Sequence, residues 1–201
     1  MKREQAKTGT AAPSRARVDL YWLPLGAGGY SVRLNGRVFE AVVSRMERRS
    51  ACDLYHSALE VRVPEGRFVI EQTPASADAA EHGAVAGGAV GAHWASRFRI
   101  FRYEVRRWRD GVIPDVAEAV ESPQCLSEDP GSARRLLELA PQVPTPVWGR
   151  DELRAGEMWN SNSVIAWLID SAGLDTDVIQ PPAGGRAPGW NAGLAVARRD
   201  R

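Results

Sequence analysis

The stretch Glu157-Met158-Trp159-Asn160-Ser161-Asn162-Ser163-Val164-Ile165-Ala166-Trp167-Leu168-Ile169 decides how the chain is read, because it changes character at one point. Asn160, Ser161, Asn162 and Ser163 all carry side chains that accept hydrogen bonds, and an apolar run follows at once. That order predicts a buried helix starting near residue 160, with an Asn or Ser as its N-cap. Backbone N–H groups and a partial positive charge of roughly half an electron gather at such an end, so an anion or a developing oxyanion is favoured there. The same residues suit a plain structural cap, which is the more ordinary role of Ser and Asn at such a place.

On the C-terminal side, Ala172-Gly173 ends the helix. The run Pro181-Pro182-Ala183-Gly184-Gly185-Arg186-Ala187-Pro188-Gly189-Trp190-Asn191 is too rich in Pro and Gly for regular structure. Residues 176–201 are therefore expected to form an extended tail pinned to the body by Trp190. On the N-terminal side, Pro141, Pro144 and Pro146 predict an extended linker. Before it, Leu136, Leu137 and Leu139 after Asp129-Pro130-Gly131 predict a helix over 132–139. Residues 111–128 are expected to be mostly irregular, with a short strand or helix around Val116 to Val120.

Further back the pattern turns to strand. Alternation and aromatics over 18–25 predict a first strand that breaks at Gly26-Ala27-Gly28-Gly29, and no Gly-Lys-Ser/Thr ending makes these glycines a phosphate loop. Val38, Phe39, Val42, Val43 and Met46 recur at helical intervals and predict an amphipathic helix over 35–49. Residues 52–63 then read as a strand, Pro64-Glu65-Gly66 as a turn and 67–73 as the hairpin partner. Residues 74–95 are Ala- and Gly-rich without a period and read as a long loop. A strand is expected over 98–108, where the dense arginines suit a solvated face or guarded edge, or else an anionic ligand.

Composition narrows the classes. A chain of 201 residues can bury one good core, and a formal charge of +1 with 44% hydrophobic residues argues against a dedicated nucleic-acid binder and against disorder throughout. The expected organisation is a disordered tail over 1–17, a single α+β domain over 18–175 and the extended tail. No apolar run approaches the ~20 residues of a membrane span, and residues 1–17 lack the apolar core of a secretory signal, so a cytoplasmic location is expected. Cys52 and Cys125 are too far apart in sequence, and His56, His82 and His93 too scattered, to indicate a disulfide framework or a zinc set. No cofactor is expected.

A hydroxyl nucleophile needs a base, and His56 is the natural candidate because it lies on a half-buried strand. Beside Tyr55 it also suits a satisfied structural histidine. Cys52, four strand positions away at about 13 Å, is out of its reach. Cys125 sits in a loop context with no activating feature.

The strand Leu54-Tyr55-His56-Ser57-Ala58-Leu59-Glu60-Val61, its hairpin return, and Asn160-Ser161-Asn162-Ser163 opening an apolar helix together resemble the circularly permuted papain-like hydrolases. These include the PPPDE-type peptidases, the lecithin-retinol-acyltransferase-like enzymes and the permuted NlpC-type proteins. The resemblance spans about residues 55–168. It implies a permuted papain-like fold in which an antiparallel sheet packs against the helix starting near residue 160. It places His56 on the family's catalytic histidine and Ser161 on its nucleophilic cysteine. A serine does not ionise as a thiol does, so Ser161 would need His56 as a general base during attack. An oxyanion hole would use the Ser161 backbone N–H with Asn160 or Asn162. Glu71 or Gln72, which point to opposite faces of the hairpin partner, would orient His56. Two functions follow from the resemblance. One is a hydrolase or acyltransferase acting on an amide, ester or thioester within a peptide, lipid or acyl substrate; the other is an inactive relative that keeps its cleft for binding.

Overall fold

A computed structural model describes residues 15–25 and 52–199. The predicted helix over 35–49, the Gly26–29 break and residues 1–14 of the predicted tail lie outside the described residues.

The fold is α+β. Six strands, β1 (Arg17–Pro24), β2 (Tyr55–Val63), β3 (Gly66–Pro74), β4 (Ala84–Ala89), β5 (Arg102–Arg109) and β6 (Gln124–Ser127), form one antiparallel sheet in the order β4-β5-β3-β2-β1-β6. Three α-helices follow among the described residues: α1 (Pro130–Leu139), α2 (Ser161–Ser171) and α3 (Trp190–Arg199). The 55–63 and 66–74 hairpin and the helix at 161 appear where the sequence puts them. None of these helices is long and apolar enough to cross a membrane.

Alternation along β2 sorts the sheet into two unlike faces. Tyr55, Leu59, Val61 and Val63 join the main core with Leu136 of α1, Val164, Ile165 and Leu168 of α2 and Val196 of α3. The residues between them face the other way, where Ala58 packs with Tyr21, Leu23, Val69 and Ile113 in a smaller cluster. All three helices thus cover one face. Each fully buried aliphatic side chain there contributes about 1.5–3 kcal/mol, so the helical face is the main source of stability.

Helix α1 starts two residues earlier than the leucine spacing predicts, because Asp129 is its N-cap: Asp129 Oδ2 accepts from Ser132 N at 2.6 Å, and Pro130 fills the first turn, where no N–H is missed. Helix α2 is buried continuously from Asn162 to Asp170. A helix apolar all round needs cover on every side, which the sheet and α3 provide.

The C-terminal segment departs from expectation. The Pro/Gly run does hold 181–189 in irregular structure, but Trp190 begins a helix rather than ending in an extended tail. Gly193 is the reason this helix can dock. A Cβ there would lie 2.2 Å from the Ser163 carbonyl oxygen, so only glycine permits the approach of α3 to α2. The Trp190 ring packs at 5.1 Å from that of Trp22 in β1.

Three further expectations are corrected. Residues 84–89 form β4 inside the predicted loop; Gly88 lies where a Cβ would meet the Tyr103 ring at 2.7 Å, so the small residues serve a close strand contact. The predicted strand over 98–108 begins only at Arg102, and 3-10 turns over His93–Arg97 and Arg99–Phe101 precede it. Within 111–128, a 3-10 turn covers Val116–Glu118 and β6 pairs with β1.

Candidate functional site

The first turn of α2 is a closed hydrogen-bonded hub. Asn160 is the N-cap: its Oδ1 accepts from Asn162 N at 2.9 Å and Ser163 N at 3.3 Å, while Ser163 Oγ accepts from Asn160 N at 3.1 Å, completing a capping box. The side chains then reach outward. Asn160 Nδ2 donates to the Pro188 carbonyl at 2.8 Å, and Ser163 Oγ donates to the Gly189 carbonyl at 2.7 Å. Asn162 Nδ2 donates to both the Tyr55 and Pro188 carbonyls at 2.9 Å, and Asn162 Oδ1 accepts from Ser57 Oγ at 2.9 Å. Glu157 Oε2 accepts from Gly189 N at 2.8 Å. Gly189 has φ +83°, and a Cβ there would lie 2.6 Å from Asn160 Oδ1, so glycine is required twice over.

These bonds answer the oxyanion-hole expectation. Both amide hydrogens of Asn162 are committed to main-chain carbonyls, and Asn160 spends its side chain on the cap and on Pro188. Asn162 would have to break structural bonds to donate to a substrate, whereas Asn160 Nδ2 gives one hydrogen to Pro188 and keeps a second. Ser161, at the first helical position, is half-buried.

The predicted Ser161–His56 pair is not assembled. His56 pairs with Leu23 across the β1–β2 ladder, and opposed residues share a face; Leu23 belongs to the smaller cluster on the side away from the helices. Ser57 pairs with Trp22 of the main core and bonds to Asn162. The sheet therefore stands between the His56 imidazole and α2, which rules out direct proton transfer. The signal was present in the sequence. His56 shares its parity with Glu60 and Arg62, the charged side of a strand whose other parity is Tyr55, Leu59, Val61 and Val63.

Of the two candidates for orienting His56, Glu71 faces its side of the sheet and Gln72 faces the helices, as their partners Arg106 and Val105 show. Gln72 places both amide atoms in the interior, where neither finds a protein partner among the described residues. Its face excludes it from His56.

The face carrying His56 holds a set of charged side chains of its own, with Glu60, Glu71 and Glu104 buried. Burial pulls the His56 pKa down to about 4, against a smaller opposing pull from Asp115, so the ring is neutral at pH 7. Burial pushes the Glu71 carboxyl up to about 7; Arg106, with Nη1 at 3.7 Å, works against that shift and Glu104 adds to it. Arg106 Nε bonds Glu104 Oε1 at 2.7 Å, and Glu60 is held between Arg62 and Arg67. The other histidines lie elsewhere: His82 packs at 4.6 Å from the Trp108 ring, and His93 Nε2 meets Glu152 at 3.1 Å.

Ser57, Glu157, Pro188 and Gly189 complete the hub and escaped the sequence reading. Pro188-Gly189 is the one pair with a readable signal, since a Pro-Gly step near a capping sequence supplies carbonyls without a competing side chain. Comparison with protein-family models, with curated proteins and with solved structures finds no match to this chain.

Proposed function

We propose that this chain is a catalytically inactive relative of the permuted papain-like enzymes and serves as a binding or interaction module. The observation that supports the reading is the junction between β2 and α2. A strand imidazole and a helix-terminal thiol would have to meet there, and the side chains that meet are Ser57 and Asn162. A hydroxyl bonded to a carboxamide supplies neither a thiolate nor a base of pKa near 7. Ser161 remains half-buried at the helix N-terminus, but the histidine that would activate it faces the opposite side of the sheet.

Two labelling experiments test this. The wild-type protein treated with a fluorophosphonate is expected to show no Ser161 adduct above that of the urea-unfolded chain. In Ser161→Cys the helix N-terminus lowers the thiol pKa somewhat, and alkylation by iodoacetamide is expected to have the same pH profile with and without His56→Ala. Wild-type labelling at Ser161 that disappears in His56→Ala would restore the hydrolase reading.

A further inference from the structure

Between β4 and β5 the chain makes two consecutive 3-10 turns, His93–Arg97 and Arg99–Phe101, and turns large apolar side chains outward. Ile100 is 79% exposed and Trp94 69%, and Phe98, Phe101 and Trp148 are exposed beside them in the chain or across a bridge. Trp148 is held to this segment by its backbone: Trp148 N donates to the Ala89 carbonyl at 2.8 Å, and Gly91 N donates to the Trp148 carbonyl at 3.2 Å. An exposed apolar group this concentrated on one segment marks an interaction surface.

Charge decides among partners. From Arg97 to Arg102 six consecutive residues are exposed, three cations interleaved with three apolar groups: Arg97, Phe98, Arg99, Ile100, Phe101, Arg102. No Asp or Glu occurs between Glu81 and Glu104. Glu152, which reaches the segment, is engaged by His93 and by the Val147 N–H. The Arg97 guanidinium lies over the Trp94 and Phe98 rings at 5.6 and 4.8 Å, an arrangement that leaves its outer edge for an anion.

The segment is also fixed in place. Phe98 N donates to the Ala95 carbonyl at 2.9 Å, Phe101 N to the Phe98 carbonyl at 3.0 Å and Ser96 Oγ to the His93 carbonyl at 2.7 Å, and Arg102 Nε bonds the Ser96 carbonyl. These bonds pair the Phe98 and Phe101 N–H groups and the His93, Ala95, Ser96 and Phe98 carbonyls within the turn and fix its shape.

We propose that this turn is a peripheral docking site for an anionic lipid surface. Trp94, Phe98 and Ile100 enter the interfacial layer, and Arg97, Arg99 and Arg102 remain at the level of the lipid phosphates. Six successive exposed side chains, Arg97 to Arg102, match a lipid interface, which yields around inserted groups. A protein partner would need a pocket for each. The contact involves neither α2 nor Ser161, so it stands or falls independently of the proposed binding-module function.

Vesicle flotation with the full chain tests it. The protein is expected to float with phosphatidylcholine vesicles containing about one third phosphatidylglycerol, to bind pure phosphatidylcholine at least tenfold more weakly, and to be released as salt approaches 1 M. Arg99→Gln is expected to weaken binding about fivefold, and Trp94→Ser with Ile100→Ser at least tenfold. These side chains are exposed, so thermal melts of the variants should match the wild type; if the double variant melts early, Ile100→Ser alone carries the test. Failure to float with anionic vesicles at low salt, or binding unchanged in the folded apolar variant, would overturn the proposal. Recovery of a protein complex in the absence of vesicle binding would do the same.

Discussion

Ser57 Oγ donates a 2.9 Å hydrogen bond to Asn162 Oδ1, and that bond joins the start of β2 to the first turn of α2 across the main core. Both residues are fully buried, so neither group has water as an alternative partner. Removing Asn162 strands the Ser57 hydroxyl and takes the Asn162 donor from the Tyr55 carbonyl, while Pro188 keeps its bond from Asn160; removing Ser57 leaves one acceptor unmet. Asn162→Ala is expected to cost about 2–4 kcal/mol and Ser57→Ala about 1 kcal/mol. Urea denaturation of both singles and the double checks this, and a double-mutant coupling near zero would show that the bond carries no net energy.

His56 and Glu71 face the same side of the sheet, and burial displaces their pKa values in opposite senses. Above pH 6.5 His56 is neutral folded and unfolded; as pH falls, the unfolded chain takes up a proton that the folded imidazole refuses down to about 4, so stability is lost across that window. Glu71 runs the other way. Below pH 4.5 it is neutral in both states, and as pH rises toward about 7 the unfolded chain ionises first, so stability is lost on raising the pH. Each effect is worth about 3 kcal/mol at most, and the two oppose each other where the windows overlap. Relative to wild type, His56→Asn should gain stability as pH falls from 7 to 4.5, and Glu71→Gln should lose it. Urea midpoints at four pH values would show the two slopes; a variant with the wild-type slope contradicts the assignment for that residue.

Arg106 is the cation that lets Glu104 sit in the protein interior, and its Nη1 also lies 3.7 Å from Glu71. Arg106→Gln leaves two buried carboxyls facing each other. The expected loss is about 3–5 kcal/mol at pH 8. It should shrink at pH 5, where Glu71 is already protonated, and adding Glu104→Gln should recover part of it. Thermal denaturation at both pH values distinguishes this from a simple packing defect, which would not respond to pH.

Gly193→Ala tests the contact between α3 and α2. On an isolated helix the change is stabilising by about 1 kcal/mol, but here the methyl would meet the Ser163 carbonyl oxygen at 2.2 Å and the Ala166 methyl at 2.9 Å. The helices must separate, with a net cost of about 1–3 kcal/mol. A variant as stable as wild type would mean that α3 can shift without penalty.

How far the sequence carries depends on whether a signal is local. The β2–β3 hairpin and α2 were legible because Pro64-Glu65-Gly66 and Asn160-Ser161-Asn162-Ser163 mark their own ends. Strand β4 was not, since Ala84 to Ala89 owe their pairing to the need for small residues beside Tyr103, a distant contact with no local pattern. Strand β6 is four mostly polar residues completed by β1, about a hundred positions earlier in the chain. Helix α3 was obscured by the Pro/Gly run, although Trp190-Asn191-Ala192-Gly193-Leu194-Ala195-Val196-Ala197-Arg198-Arg199 has helical composition of its own. The candidate pair failed on parity. Residue type suggested that His56 could act as a base, but its position among Ala58, Glu60 and Arg62 determines the side of the sheet on which it can do so.

The Pro188 and Gly189 carbonyls close the first turn of α2, and α3 covers its far side, so the central helix is finished by residues made after it. At about 5–20 residues per second, residues 172–199 leave the ribosome a few seconds behind α2. During that interval Asn162 lacks its Pro188 acceptor, and the apolar helix has the sheet for cover but no second wall. Until residues 188–199 have emerged and docked, the nascent chain presents that helix with one side uncovered, and a chain cut short before Pro188 would keep the exposure for good.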